Sequence, residues 1–312
     1  MQALATAVLP VFLLILLGYV IRRRGWLPAG FWEPAERLTY LFLLPALLAT
    51  TLARADFSAL PAAAMAGAVI LAIAAMSALL VAFQLVTRKN GPAVTAVLQT
   101  SIRPNTYIGL SIPFALYGEP GLAIAALIVA VVVPTVNVVS IAALLRFGDR
   151  APGTAGVGTA GSGPGLVKAL VSNPLILACL LGLALNLSGL GLPPVAGETL
   201  TILARAALPM ALLAVGAGLD FGAARTSGGW VVSAVALKLA GLPLLTAGFC
   251  LLLGVHGLPL TVAVIFNALP AATSSYILAR LMGGAPSLVA NILTVQTLVA
   301  ALTLPLLVLF LF

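Results

Sequence analysis

Two short stretches of this chain place polar and ring-constrained residues in otherwise apolar surroundings. The first holds Gln99, Thr100, Ser101, Arg103, Pro104, Asn105, Thr106 and Tyr107; the second holds Asn267, Pro270, Ala271, Thr273, Ser274, Ser275 and Tyr276. Proline withholds a backbone donor and crowds the turn before it, so a helix that reaches Pro104 or Pro270 opens. Carbonyls released in this way are tolerated in hydrocarbon only against protein or a wet cavity. Arg103 adds a charge at the first opening, where a cation costs at least about 2.5–3.5 kcal/mol on insertion scales. Its planar fork can give two parallel hydrogen bonds to a carboxylate, which a lysine cannot match. The chemistry indicated is recognition of a small anion, helped by the partial positive charge of helix N-termini at the breaks.

The remaining charges agree with an anion. Arg205 and Lys238 also stand inside apolar runs; Arg205 reads as reaching an interface, and Lys238 is open between an interface and an interior place. The seven acids, Glu33, Glu36, Asp56, Glu119, Asp149, Glu198 and Asp220, all fall near the ends of apolar runs or between them. Substrate contact is therefore expected from Arg103, Pro104, Asn105, Thr106, Tyr107, Pro270, Ala271, Thr273 and Ser274. Gln99, Asn137, Lys238, Asn267 and Gln296 are expected to support it; Asn137 and Gln296 either line the same cavity or join helices. Arg103 and Asn105 would be about 200° apart on a continuous helix, which sets them on different faces.

Catalysis has no comparable footing. There is no HExxH and no nucleophile–base constellation, Cys179 and Cys250 stand apart within apolar runs, and the single histidine, His256, sits beside Gly257 and Pro259 in a loop. Gly156, Gly158 and Gly161 form a formal GxGxxG, but no strand precedes it and the next acid, Glu198, is too distant for a ribose contact. No enzyme activity, resident metal or cofactor is expected, and a coupling Na+ or H+ is left open.

The elements that must position these residues are membrane helices. The 312-residue chain is 62% hydrophobic and 7% charged, against about a quarter charged for a soluble domain. Its formal charge of +8 is spread over the edges of apolar runs, as topology determinants are, and so does not indicate nucleic acid. Splitting at Gly, Pro and charge clusters gives ten spans: Leu4–Ile21, Ala35–Ala53, Ala62–Val86, Ala93–Tyr117, Leu122–Leu145, Val167–Leu187, Val195–Leu219, Gly229–Leu253, Leu260–Met282 and Ser287–Leu311. Arg22, Arg23 and Arg24 follow the first run, which marks a retained helix and not a cleaved signal. The loops after spans one, three, five and seven hold those three arginines with Arg88, Lys89, Arg146, Arg150, Lys168 and Arg225, while the opposite loops offer little beyond Arg54. The basic side is cytoplasmic, so both termini face outward.

The halves repeat. Pro10, Leu16, Leu17 and Gly18 recur 164 residues later as Pro174, Leu180, Leu181 and Gly182; Leu44, Pro45, Asp56 and Phe57 recur at the same offset as Leu208, Pro209, Asp220 and Phe221. Pro104 pairs with Pro270 and Gly118 with Gly284 at an offset of 166. Five spans per half is odd, so the second half enters from the opposite side, an arrangement that secondary transporters use. The expected fold is all-α and polytopic, with ten transmembrane helices in two inverted five-helix repeats whose fourth and ninth helices are broken and crossing. Residues 1–146 form the first repeat, 147–166 a flexible cytoplasmic linker, and 167–312 the second repeat.

Pro104-Asn105-Thr106 and Ala268-Leu269-Pro270 resemble the auxin efflux carrier family. So do Gly18-Tyr19, Leu208-Pro209-Met210-Ala211-Leu212-Leu213, and Lys238-Leu239 followed by Pro243. The resemblance covers nearly the whole chain. It implies a fold within the bile acid/arsenite/riboflavin transporter superfamily, with two broken helices crossing at the prolines and small organic anions bound beside the crossing. The short chain and reduced linker resemble a bacterial member, whose relatives carry malonate and similar carboxylates, and imply an inner-membrane location. Ala271 departs from the pattern, since no polar side chain follows the second proline, so twofold use of the site is incomplete.

The function expected is a secondary carrier of a small organic anion, a carboxylate, working by alternating access around the crossover. A sodium-coupled symporter of the bile acid type is the alternative, and a membrane enzyme or receptor has least support. The partners expected are that anion and the lipid bilayer, with no nucleic acid; a homodimer is left open.

Overall fold

The computed structural model describes residues 2–57, 60–149, 172–219 and 228–311. Most of the linker falls outside the described residues, as do Lys168, Arg225, and the Asp220 and Phe221 members of the repeat.

Polar backbone in an apolar solvent must be satisfied within its own segment, and the described chain is helical throughout apart from its connections. Eleven helices follow: α1 Gln2–Arg24, α2 Trp32–Arg54, α3 Ala62–Thr87, α4 Gly91–Ile102, α5 Thr106–Phe147, α6 Pro174–Leu187, α7 Pro194–Ala217, α8 Gly229–Leu252, α9 Gly257–Asn267, α10 Ser274–Leu281 and α11 Pro286–Leu311. Six of them, α2, α3, α5, α7, α8 and α11, are long and apolar enough to cross a membrane. The described chain is thus an all-α membrane protein. Many hydroxyls inside the helices return their protons to their own backbone, as Thr50 does to Ala46, Thr100 to Ala96 and Thr246 to Leu242, so these do not demand partners from lipid.

The expected spans Ala93–Tyr117 and Leu260–Met282 are each interrupted where predicted, giving α4 and the start of α5 in one case and α9 and α10 in the other. At 42 residues α5 is far longer than one crossing needs, since about 20 residues suffice. It bends sharply at Gly118, whose φ of 61° and ψ of −146° suit glycine alone. The division expected near this point is therefore a kink, with helical hydrogen bonding on either side.

The chain divides into two compact units that cut across the sequence repeat. The first comprises Met1–Ala62, Thr106–Ala130 and Ser172–Leu219, with α1 packed on α7 and α2 on both α6 and α7. Glycines set these approaches: a Cβ on Gly18 would overlap the Leu213 carbonyl, and one on Gly182 would overlap the Ala49 carbonyl. Gly18 and Gly182 are 164 residues apart, and so are Ala49 and Leu213. The two approaches therefore exchange under the same offset that relates the halves. The second unit comprises Ala63–Asn105, Val131–Val171 and Asp220–Phe312. In it α4 packs on α8, α10 and α11, and α11 on α8 and α10, with α9 against α8 and α11.

Candidate functional site

The two breaks meet within the second unit. Helix α4 is capped by Asn90, whose side chain accepts from the Ala93 amide at 3.1 Å, and it ends at Ile102 because Pro104 disfavours helical backbone in the residue before it. Arg103 is extended, with φ −89° and ψ 102°. Helix α9 ends at Asn267, three residues before Pro270, and α10 begins at Ser274. Between these ends the two open segments run antiparallel, Pro104 opposite Ala271. The Asn105 amide donates to the Pro270 carbonyl at 2.8 Å, and the Ala272 amide donates to the Arg103 carbonyl at 3.1 Å. Each break satisfies the other's backbone.

This pairing settles two points that helical geometry had left wrong or open. Arg103 and Asn105 flank Pro104 in extended backbone, where alternate residues share a face, so the 200° separation expected of a continuous helix does not arise. The prolines are also staggered by one residue, because Pro104 lies opposite Ala271 and not Pro270.

Arg103 is only 8% exposed. Its Nη1 donates to Asn137 Oδ1 at 2.8 Å and its Nη2 to Ser274 Oγ at 3.1 Å. Two neutral groups, from α5 and α10, thus hold the plane of the guanidinium. Asn105 is buried as well, and Thr273 occupies the N-cap position of α10, without a side-chain capping bond, with Ser274 at its first turn. Thr106 and Tyr107 open α5 in the first unit, where Tyr107 lies in the electrostatic range of Glu36 and Tyr40.

Of the supporting residues, Gln99, Lys238, Asn267 and Gln296 are each 0% exposed. Lys238 therefore does not reach an interface; it sits in a π-helical turn, Leu237–Gly241, that packs on α4 and α11. Its Nζ, both amide atoms of Gln99, Asn267 Oδ1, and the hydroxyls of Ser101 and Ser275 are buried without a hydrogen-bond partner. Arg205, by contrast, is exposed. Within this unit, which also holds the buried Arg103 and Lys238, the single described acid is Asp149, in the connection after α5.

Asn137 and Gln296 both join helices: Asn137 through Arg103, Gln296 through backbone groups. Two participants escaped the sequence reading. Thr246 receives the Asn267 amide at 2.8 Å, and Ala234 contributes a carbonyl to Gln296 at 3.0 Å. Thr246 lies eight residues beyond Lys238, so helical spacing could have found it; a backbone carbonyl leaves no mark in a sequence.

A family model described as membrane transport protein matches residues 3–155 and 163–308. The chain is also 26% identical over 302 residues to an uncharacterized transporter from Methanothermobacter thermautotrophicus, a match covering 96% of this chain and 95% of that protein.

Proposed function

The chain belongs to the membrane transport protein family, that of the auxin efflux carriers, and from that premise we propose that it carries a small organic anion, a carboxylate, by alternating access around the crossover. It is an integral membrane transporter and not an enzyme. The observation that carries the substrate class is Arg103, a guanidinium 8% exposed at the paired breaks and oriented by neutral partners. A guanidinium held in such a place, with a planar fork that can give two parallel hydrogen bonds to a carboxylate, suits an anionic ligand. The N-terminus of α10 beside Ser274 adds partial positive charge.

The exchange of the Gly18–Leu213 and Gly182–Ala49 approaches under one offset supports two repeats, and the basic loops support both termini outside a bacterial inner membrane. Uptake of radiolabelled acetate, succinate and citrate into proteoliposomes, with sodium, pH and voltage varied separately, tests the reading. Carriage of at least one carboxylate, lost in Arg103→Ala, is expected; flux of none sinks the substrate class. A sodium-coupled symporter is the second reading. It rests on Gln99 Oε1 and Asn267 Oδ1, buried oxygens without a hydrogen-bond donor, and predicts flux that stops when N-methylglucamine replaces sodium.

A further inference from the structure

Pairing at the crossover leaves one backbone N–H to be answered from outside. In an antiparallel pair of the wide type, the two residues directly opposite each other turn their N–H and C=O groups away from the partner strand. Pro104 and Ala271 are that pair. Pro104 has no N–H, so its outward side asks for no acceptor. Ala271, displaced by one position from the second proline, does have one. A buried N–H without an acceptor costs about 1–3 kcal/mol.

The acceptor comes from α11. Gln296 Oε1 takes the Ala271 N–H at 3.0 Å. The same amide's Nε2 donates to the Thr100 carbonyl at 3.2 Å and to the Ala234 carbonyl at 3.0 Å. Thr100 belongs to the last turn of α4, where carbonyls have lost their helical donors because the helix stops at Ile102. Ala234 lies one turn before Lys238 and leads into the π-helical turn of α8, where local hydrogen bonding is irregular. Gln296 is 0% exposed, and both of its amide protons and its oxygen are engaged.

We propose that Gln296 is a positioning residue that locks the two broken helices and α8 in one register, and that it does not touch the transported anion. The reading of the crossover as the anion site makes this lock matter for transport, but the lock itself stands on backbone geometry. One side chain meets the outward Ala271 N–H after Pro270, the Thr100 carbonyl at the end of α4, and the Ala234 carbonyl of α8, which also accepts from the Leu237 N–H. An amide alone does this: a carboxylate offers no donors, and an apolar side chain offers nothing. Asparagine, one methylene shorter, cannot span the same three groups from the same backbone position.

Hydrogen exchange of the full chain in lipid nanodiscs tests this without any substrate, and so separately from the anion reading. Wild type, Gln296→Met, Gln296→Asn and Gln296→Glu are compared over peptides covering residues 268–276, 97–106 and 258–266. In Gln296→Met and Gln296→Asn the first peptide should exchange about tenfold faster, the equivalent of one net hydrogen bond, while 258–266 within α9 stays as in wild type. Gln296→Glu keeps an acceptor for Ala271, so it should restore protection at 268–276 and loosen only 97–106. Should Gln296→Met not fold, Gln296→Asn carries the same comparison. Unchanged exchange at 268–276 in both variants overturns the lock. So does equal acceleration across all three peptides, which would mark a general packing role.

Discussion

Replacing Arg103 by lysine keeps the charge at the crossover and removes the geometry, and so separates the two contributions. The guanidinium spans Asn137 Oδ1 at 2.8 Å and Ser274 Oγ at 3.1 Å with different nitrogens, which fixes its plane. A lysine has one nitrogen and cannot hold both partners in that arrangement while presenting two parallel donors to a carboxylate. Loss of one charge-assisted hydrogen bond amounts to about 1.5–3 kcal/mol, or an affinity about 10- to 150-fold weaker. Arg103→Ala removes the charge too and should fall further. Folding is not expected to confuse the result, because Asn137 is half-buried and Ser274 exposed, so water can replace the lost donor. Binding of acetate, succinate and citrate to purified protein, measured by calorimetry beside a melting curve, gives the comparison. Arg103→Lys binding like wild type would refute the bidentate geometry. Arg103→Ala binding like wild type in a folded protein would remove the crossover as the anion site.

Pro104→Ala restores an N–H on the outward side of the paired segments and permits α4 to continue; transport should fall while the melting temperature changes little, and full flux would mean that the break is not needed. Gly18→Ala and Gly182→Ala each drive a methyl into a carbonyl of the facing helix, at about 1–3 kcal/mol for overpacking; both should lower the melting temperature, and an unchanged value would contradict the close approach. Lys238→Met removes a buried cation whose Nζ has no partner; since uncompensated buried charge destabilises, the melting temperature should rise, and a fall would show that Lys238 is compensated. Cysteines at Gly156, outside the described residues, and after Phe312 should be labelled from opposite membrane faces; labelling of both from outside intact cells would overturn the inverted topology.

The fold was legible where it depends on solvent and on proline. Hydropathy located the helices because lipid demands apolar side chains along a whole span, and Pro104 and Pro270 placed the breaks because the missing N–H acts locally. The bend at Gly118 kept helical bonding on both sides, so composition alone did not distinguish it from a loop. At the site, residue types nominated Arg103, Asn137 and Gln296, but their partners depend on which helices adjoin. Lys238 shows the same limit: its position in an apolar run suits an interface or an interior equally, and only the packing of α8 on α4 and α11 decides.

The one-residue stagger has the widest consequence of the features hidden from the sequence. Repeat offsets set Pro104 against Pro270, which suggests a crossover with two equivalent faces. With Pro104 opposite Ala271, the first break brings Arg103 and Asn105 with no outward N–H at the proline between them, and the second brings an alanine methyl and an N–H consumed by Gln296. The second face has spent its backbone donor on structure, while the first presents a charged and an amide side chain from alternate positions of one extended segment. On the anion reading proposed above, that inequality has a single anion read mainly by the first repeat. Ala271→Ser puts a hydroxyl at the paired position without touching the Gln296 bond, so if the second face lies against the anion its affinity should change about tenfold, the scale of one hydrogen bond. If the first repeat alone reads the anion, Ala271→Ser should bind carboxylates as the wild type does while Asn105→Ala does not. The opposite pair of results would assign recognition to the second break.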